Sequence, residues 1–209
     1  MINLNLAKTL VIYGCGGHAR SLADVALANG HTTLLFVDPM ARKDERLFNF
    51  DVVQSLPAIK DFYAILAAGD NKVRAELFEK MPPNQTLVSL ISSDAHIGKN
   101  VEIGLGTFVG QGAHIGPNAK IGENTIINTH CVIEHDCQIG AHSHISVNTT
   151  VAGSCRMGDF VMIGTGATVI DGIYVCSEVT IGAGAVVIQD ITESGVYVGV
   201  PARKVKVEK

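Results

Sequence analysis

Hydrophobic positions in the second half of the chain recur at a fixed interval of six residues. From Ala95 onward every sixth position is aliphatic, and all of these residues except Met157 are β-branched. Neither the 3.6-residue period of a helix nor the alternation of a half-buried strand produces this spacing over so long a stretch. The positions are Ile97, Ile103, Val109, Ile115, Ile121, Ile127, Ile133, Ile139, Ile145, Val151, Met157, Ile163, Val169, Val175, Ile181 and Val187.

A six-residue repeat is typical of a coil with three flat faces per turn, the hexapeptide β-helix. We expect the aliphatic residue to point inward and the small residue two places earlier to pad the interior. The glycine that often follows the aliphatic residue is expected to take the tight corner. Residues eighteen apart then stack at the strand spacing of about 4.8 Å. The sequence therefore predicts a left-handed parallel β-helix over 93–209, with a C-terminal tail.

The first 92 residues follow a different pattern, in which short apolar strands alternate with helices. The sequence predicts strands over 9–14, 33–38, 63–69 and 86–91, and helices over 18–29 and 71–80. Pro82 and Pro83 cannot continue the second helix, and 42–56 gives no clear pattern. Alternation of this kind makes a small parallel sheet, about half of a dinucleotide-binding fold. We expect an α/β domain over 1–92 that binds one nucleotide-linked sugar.

Composition narrows the classes of function. Hydrophobic residues make up 47% of the chain and charged residues 17%, with 22 glycines, which fits aliphatic packing around many tight turns. The formal net charge of −4 gives no field that attracts nucleic acid. No segment approaches the roughly 18 uninterrupted apolar residues of a membrane span, and no secretion signal is evident. Five cysteines without a C-x-x-C pair indicate reduced thiols, so we expect a cytoplasmic protein.

The repeat carries an unusual number of polar side chains over residues 127–144. They are Asn128, Glu134, His135, Asp136, His142 and His144. His135 lies two residues past the inward Ile133, so we expect it near a corner with its side chain outward. Either Glu134 or Asp136 could orient the imidazole, which could then take a proton from an attacking amine or hydroxyl. The spacing of the histidines does not form an evident tetrahedral set, so no metal is expected.

A glycine-rich turn follows the first predicted strand and opens the first helix. Residues 14–19 satisfy G-x-G-x-x-A, and Asp38 ends the next strand, nineteen residues after Ala19. In this arrangement backbone N–H groups meet a pyrophosphate and the acid meets a ribose hydroxyl. Because the predicted sheet is small, a nucleotide-linked sugar fits this domain better than a dinucleotide does.

These motifs together resemble the bacterial sugar O- and N-acetyltransferases. The resemblance rests on LVIYGCGGHAR near the start, AAGDNKVR in the middle, NTHCVIEHDCQIGAHSHIS in the coil and GVYVGVPAR near the end. The family includes sialic acid O-acetyltransferases and enzymes that acetylate nucleotide-linked 4-amino-4,6-dideoxy sugars. The resemblance covers nearly the whole chain and implies acetyl-CoA as cosubstrate.

Site residues follow from the resemblance position by position. It implies His135 as the general base, with Asp136 or Glu134 as its acidic partner. Contacts to acetyl-CoA are implied for His144, Gly153, Gly182 and Ala183. Contacts to the nucleotide-linked sugar are implied for Gly14, Gly16, His18, Asp38, Asn71 and Arg74, and Asn128 is expected to line the pocket of the base.

The implied mechanism is direct transfer to the sugar amine, with coil donors holding the oxyanion. A cysteine acyl-enzyme is the rival mechanism, but no cysteine has a base at a matching position. A homotrimer is the expected oligomer, because prisms with three flat faces associate side by side in a closed ring. Alternatives are O-acetylation of a sialic acid-type sugar, a non-catalytic trimeric scaffold and a nucleotide-binding oxidoreductase.

Overall fold

A computed structural model describes residues 8–82 and 85–206, so the predicted helix stop at Pro83 lies outside them. The N-terminal part is an α/β unit. Its elements are β1 (Leu10–Tyr13), α1 (Gly17–Ala28), β2 (Leu34–Val37), β3 (Arg46–Leu47), β4 (Phe50–Val53), β5 (Tyr63–Leu66), α2 (Asn71–Glu79) and β6 (Thr86–Leu87). The sheet order is β3-β4-β2-β1-β5-β6. Every pair is parallel except β3 with β4, which form an antiparallel hairpin.

The hairpin explains why 42–56 gave no clear pattern in the sequence. Its two-residue loop is Phe48–Asn49, with φ of 50° and 66°. Two left-handed residues in a row are typical of a type I′ turn, which asparagine–glycine usually signals. Phenylalanine is uncommon in that conformation, so the turn was not recognisable.

The second half is the predicted parallel β-helix, built from short strands. They are β7 (Leu90–Ile91), β8 (His96–Ile97), β9 (Glu102–Ile103), β10 (Phe108–Val109), β11 (His114–Ile115), β12 (Lys120–Ile121), β13 (Ile126–Ile127), β14 (Val132–Ile133), β15 (Gln138–Ile139), β16 (His144–Ile145), β17 (Thr150–Val151), β18 (Arg156–Met157), β19 (Met162–Ile163), β20 (Thr168–Val169), β21 (Tyr174–Val175), β22 (Val179–Ile181), β23 (Val186–Val187), β24 (Gly195–Val198) and β25 (Arg203–Val205). Each strand from β10 to β22 pairs with the strand one turn away. Up to Ile181 the paired residues are eighteen apart in sequence, as His114 and Val132 are. The fold class expected from the sequence is confirmed.

Three sheets form the faces of the prism. We call the sheet with β7, β10, β13, β16, β19 and β22 the first face; β24 and β25 extend it. The sheet from β8 to β23 is the second face, and the sheet from β9 to β21 is the third. The first edge joins the first and second faces, the second edge joins the second and third, and the third edge leads back to the first.

The strand predicted over 86–91 is two strands in different sheets. Val88 N–H donates to Ala64 O in the α/β sheet, whereas Leu90 N–H donates to Thr107 O in the coil. The chain passes from one sheet to the other here, so a single apolar run contributes one strand to each sheet. The domain boundary near residue 92 stays a prediction.

The α/β unit and the coil share apolar packing on the first face. The outward side chains of Leu90, Phe108 and Ile126 are each 1% exposed. They pack in one cluster with residues of β1 and α1, including Leu22. The inward aliphatic residues form a separate cluster along the axis of the prism. The first face is therefore covered beneath the α/β unit, which fixes that unit against the coil.

The corner glycines have a different role from the expected one. The left-handed residue of each corner lies three places after the inward aliphatic residue, as at Asn118, Asp136 and Asn148. The glycine directly after the aliphatic residue instead leaves room for the next turn. A Cβ on Gly122 would lie 2.5 Å from Ala141 N, and one on Gly104 would lie 2.4 Å from Glu123 N.

We expect Gly122→Ala to lower the free energy of unfolding by about 3 kcal/mol, because the added methyl overlaps backbone that cannot move alone. Gly184→Ala is the matched control, because Gly184 has a φ of 66° with no atom near its Cβ position. It should cost about 1 kcal/mol, the strain of a left-handed alanine. Denaturant unfolding measures both variants. Equal midpoints would contradict this account of the corner.

Candidate active site

His135 and Asp136 occupy the second edge, directly after β14. Asp136 has a φ of 59°, a conformation that aspartate tolerates better than most residues. His135 Nδ1 lies 2.8 Å from Asp136 Oδ2, and both side chains are about half exposed. Asn118 Nδ2 donates to Asp136 Oδ1 at 3.1 Å, and Asn100 Nδ2 donates to Asn118 Oδ1 at 3.2 Å. Stacked amides thus hold the carboxylate that orients the imidazole.

The hydrogen bond fixes the chemistry of the two imidazole nitrogens. A carboxylate accepts, so Nδ1 carries the proton and Nε2 has the free lone pair in neutral His135. The bond to Asp136 is the main cause that raises the pKa of His135, with the charges of Asp136, Glu134 and Asp171 adding to it. The same bond, helped by Asn118, lowers the pKa of Asp136. The arrangement is that of an exposed, oriented base. Glu134 contributes charge without a hydrogen bond to the ring.

Gly153 lies one turn beyond His135 and faces the basic nitrogen. A Cβ on Gly153 would lie 2.6 Å from both Cε1 and Nε2 of His135. Only glycine therefore leaves room for the imidazole in this position. Among the described residues, the N–H of Gly153 donates to no backbone or side-chain group. A free lone pair and a free N–H lie together on the second edge.

His144 and Asn128 form a second group, where the first face meets the first edge. His144 Nδ1 lies 3.2 Å from Gly69 O, and a carbonyl accepts, so Nδ1 donates. Asn128 Nδ2 then donates to His144 Nε2 at 3.2 Å, while Asn128 Oδ1 accepts from Thr129 N–H. Burial lowers the pKa of His144 to about 4, so the ring is neutral at pH 7.

The glycine-rich turn lies above this group. Gly14 has a φ of 114°, and Gly16 is the N-cap of α1 without any side-chain cap. The N-terminal N–H groups of α1 are thus open to an anion. Asp38 lies beside the turn, where its Oδ2 accepts from Cys15 N–H at 2.9 Å. An open helix N-terminus and a carboxylate therefore lie side by side at this turn.

His18 is the second residue of α1, and its ring is directed toward the first face. The ring of His18 packs edge-on against Phe108, with ring centroids 5.1 Å apart. The ring centroids of His18 and His144 are 6.4 Å apart. Burial, with the charges of His144 and Arg74, lowers the pKa of His18 to about 3. Its Nε2 is buried without a partner among the described residues. A neutral ring is therefore fixed next to the glycine-rich turn.

Arg74 joins α2 to the coil and does not face open space. Its side chain is 1% exposed. The guanidinium donates to Ala68 O, Gly69 O, Asn124 O, His142 O, Ser143 O and Asn71 Oδ1. These bonds leave no donor for a ligand, so the geometry assigns Arg74 to positioning rather than to substrate contact. Asn71 Nδ2 lies 3.3 Å from Val161 O and borders an open pocket with Asp70 and Phe160.

The polar residues over 127–144 do not form one cluster within the chain. Each six-residue step moves to another face, so neighbours in sequence separate around the prism. Glu134, His135 and Asp136 lie on the second edge, with Gly153. Asn128 lies on the first edge, together with Gly182 and Ala183. His142 lies on the third edge, where it stacks on Phe160 with ring centroids 5.0 Å apart. Within one chain, Asn128 and His135 therefore lie on different edges, and the expectation that Asn128 lines the pocket of His135 stays a prediction.

Sequence reasoning missed two features of the second edge. One is the pair of asparagines behind Asp136, which eighteen-residue spacing from Asp136 could have signalled. The other is Asp171, which lies thirty-six residues after His135 in the same column.

In residues 8–82 and 85–206, no three His, Cys, Asp or Glu side chains lie together in a way that could hold a metal ion. No helix in the same ranges is long and apolar enough to cross a membrane.

Comparison with family models divides the chain in two. Residues 9–81 match the PglD N-terminal domain. Residues 118–153 match the bacterial transferase hexapeptide model of six repeats. Residues 95–129 and 156–189 match the hexapeptide repeat of succinyl-transferase. No curated protein matched the sequence.

Solved structures resemble the chain over almost its full length. The acetyltransferase domain of PglB from Neisseria gonorrhoeae is 30% identical with a TM-score of 0.87, covering 95% of this chain and 100% of that one. Perosamine N-acetyltransferase from Caulobacter crescentus, in complex with CoA and GDP-perosamine, is 30% identical with a TM-score of 0.85, covering 95% and 97%. WeeI from Acinetobacter baumannii is 21% identical with a TM-score of 0.75, covers 95% of this chain and 100% of that one, and shares the fold. The chain belongs to the bacterial hexapeptide-repeat family of sugar acetyltransferases.

Proposed function

We propose that this protein transfers an acetyl group from acetyl-CoA to the amino group of a nucleotide-linked 4-amino-4,6-dideoxy sugar. One observation carries the proposal: Asp136 holds His135 through Nδ1, so that the basic Nε2 lies over Gly153. The similar Caulobacter enzyme is named as an N-acetyltransferase and binds CoA and GDP-perosamine. That name supports an amine as the acceptor.

His135 acts as the general base in this proposal. Its Nε2 accepts a proton from the sugar amine as the nitrogen attacks the thioester carbonyl. The C–N bond forms, the C–S bond breaks, and the CoA thiolate leaves and takes up a proton. The free N–H of Gly153 donates to the oxygen on which negative charge develops.

The nucleotide half of the site lies in the α/β unit. The open N-terminus of α1 receives the diphosphate, with Gly14 and Gly16 allowing its close approach. Asp38 accepts from a ribose hydroxyl, since its carboxylate has lone pairs left beyond the bonds from Cys15 N–H and Met40 N–H. His18 and Asn71 border the sugar. Acetyl-CoA is the cosubstrate, and His144, Gly182 and Ala183 are its proposed contacts on the first face and first edge.

We further propose a homotrimer in which each site is shared between copies. The outward residues of the second face from β14 onward are uncharged, namely Val132, Thr150, Thr168 and Val186. The third face presents Glu102, Lys120 and Arg156 instead. Contact through second faces would bring the first edge of one copy, with Asn128 and Ala183, to the second edge of the next, with His135. A site shared between copies would bring together Asn128 and His135, which lie on different edges of one chain.

Turnover is tested by thiol release from acetyl-CoA with UDP-, dTDP- and GDP-linked 4-amino-4,6-dideoxy sugars and with sialic acids. We expect one amino sugar to be acetylated, and His135→Ala to lower kcat by roughly 10²- to 10⁴-fold, the usual contribution of a general base. Because His135 is exposed, acetyl-CoA binding and thermal unfolding should not change. Turnover with hydroxyl acceptors alone would favour O-acetylation. Full activity in His135→Ala would exclude His135 as the base.

The pH dependence of kcat/KM should report the bond between His135 and Asp136. His135 must be neutral to act, so activity falls toward acid pH as the ring is protonated, at a pKa raised by Asp136. Asp136→Asn removes the main cause of that increase, so the acid limb should move to lower pH. The plateau should fall roughly tenfold as the ring loses its orientation. The acceptor amine titrates identically in both enzymes, so an unmoved limb would contradict this pairing.

Sharing of the site between copies is tested by complementation. Gly16→Glu places a carboxylate where the diphosphate binds, and no atom crowds its Cβ position. This variant and His135→Ala should each be inactive alone. Coexpressed in equal amounts with different tags, they should regain about a quarter of the wild-type activity if each site joins two copies of a trimer. Light scattering should give three chain masses. Mixed assemblies without activity would mean that each chain carries its own complete site.

A further inference from the structure

Asp171 lies in the same column of the second edge as His135 and Gly153. The three residues are eighteen apart, so they stack on successive turns. Gly153 has no side chain to fill the space between the other two. A Cβ built on Gly153 would lie 2.6 Å from His135 Nε2 and 2.9 Å from Asp171 Oδ1. The imidazole and the carboxylate therefore converge on the space above Gly153.

The two carboxylates near His135 are not equivalent. Both oxygens of Asp136 are engaged, Oδ2 by His135 Nδ1 and Oδ1 by Asn118 Nδ2. Asp171 is exposed and makes no hydrogen bond among residues 8–82 and 85–206. It lies toward Nε2, where the acceptor must approach to give up its proton. Glu134 is the third acid that acts on the ring, through its charge alone. Of these three acids, Asp171 is the one whose unbonded carboxylate lies beside Gly153, on the Nε2 side of the ring.

An amine acceptor differs from a hydroxyl in arriving as a cation. At neutral pH a sugar amine is mostly an ammonium ion, which must be bound and then deprotonated. A carboxylate binds ammonium through a charge-assisted hydrogen bond, about twice as strong as a neutral one. A hydroxyl can also donate to the carboxylate, but it brings no positive charge and so forms no ion pair.

We propose that Asp171 binds the ammonium form of the acceptor beside His135 Nε2 and so selects amines over hydroxyl groups. This inference rests on the proposed function and names its specificity residue. Of the three ammonium protons, one passes to His135 and on to solvent, one leaves on the CoA thiol and one stays on the amide. The carboxylate is unchanged by the reaction.

The test compares two acceptors that differ in one group, the amino sugar nucleotide and its analogue with a hydroxyl at the same carbon. In Asp171→Asn, KM for the amine should rise about tenfold or more, because a hydrogen bond to a charged group is lost. kcat/KM for the hydroxyl analogue should fall severalfold less than kcat/KM for the amine, because a neutral acceptor loses no ion pair. Asp171→Glu should restore part of the amine preference. Glu102→Gln is the charge-matched control, since Glu102 pairs with Lys120 on the third face, and it should leave both values unchanged.

The outcomes separate this inference from the proposed function. If the wild-type enzyme acetylates the amine and Asp171→Asn keeps the same amine preference, only the role of Asp171 is refuted. An equal loss of kcat with both acceptors at constant KM would also refute it, since Asp171 would then act through the fold or through His135. A wild-type enzyme that acetylates only hydroxyl groups would refute both.

Discussion

The register of eighteen residues per turn is the constraint on which this structure depends. Successive turns approach so closely that a Cβ after most inward residues would overlap the backbone of the next turn, as at Gly98, Gly116 and Gly140. This close approach fixes the spacing of the turns, and it requires glycine where a Cβ would meet backbone. Each column of the prism becomes a ladder in which side chains meet only their neighbours one turn away. A functional site on such a scaffold is therefore built from residues that stack in one column.

The second edge shows how a column becomes a site. Asn100, Asn118 and Asp136 stack at the left-handed position, and each amide orients the group on the next turn. In the adjacent column His135 extends over Gly153, a residue without a side chain, toward Asp171. The result is an exposed imidazole with one nitrogen bound and one open. No flexible loop is needed, because the rigid coil sets every distance.

The α/β unit is fixed to the coil by burial as much as by polar bonds. Phe108 and Ile126 lie under α1. All the N–H groups of the Arg74 guanidinium donate to backbone carbonyls or to Asn71. A buried guanidinium is costly unless fully bonded, so this side chain ties three segments into one position. His144 adds a bond to Gly69 across the same joint. The glycine-rich turn thereby holds a set place relative to the first edge of the coil.

The sequence alone determined the β-helix and the strand–helix order of the first domain, and it singled out His135 as the proposed base, with Asp136 or Glu134 as its partner. A strict period of six admits one architecture, and both the glycine-rich turn and the run Glu134, His135, Asp136 are local in the chain. Tertiary structure decided what is distant in sequence. It placed Asn128 and His135 on different edges, because each hexad turns the chain onto a new face. It buried Arg74 behind the site and brought Asp171 to His135, thirty-six residues away, because stacking joins residues two turns apart that no short motif connects.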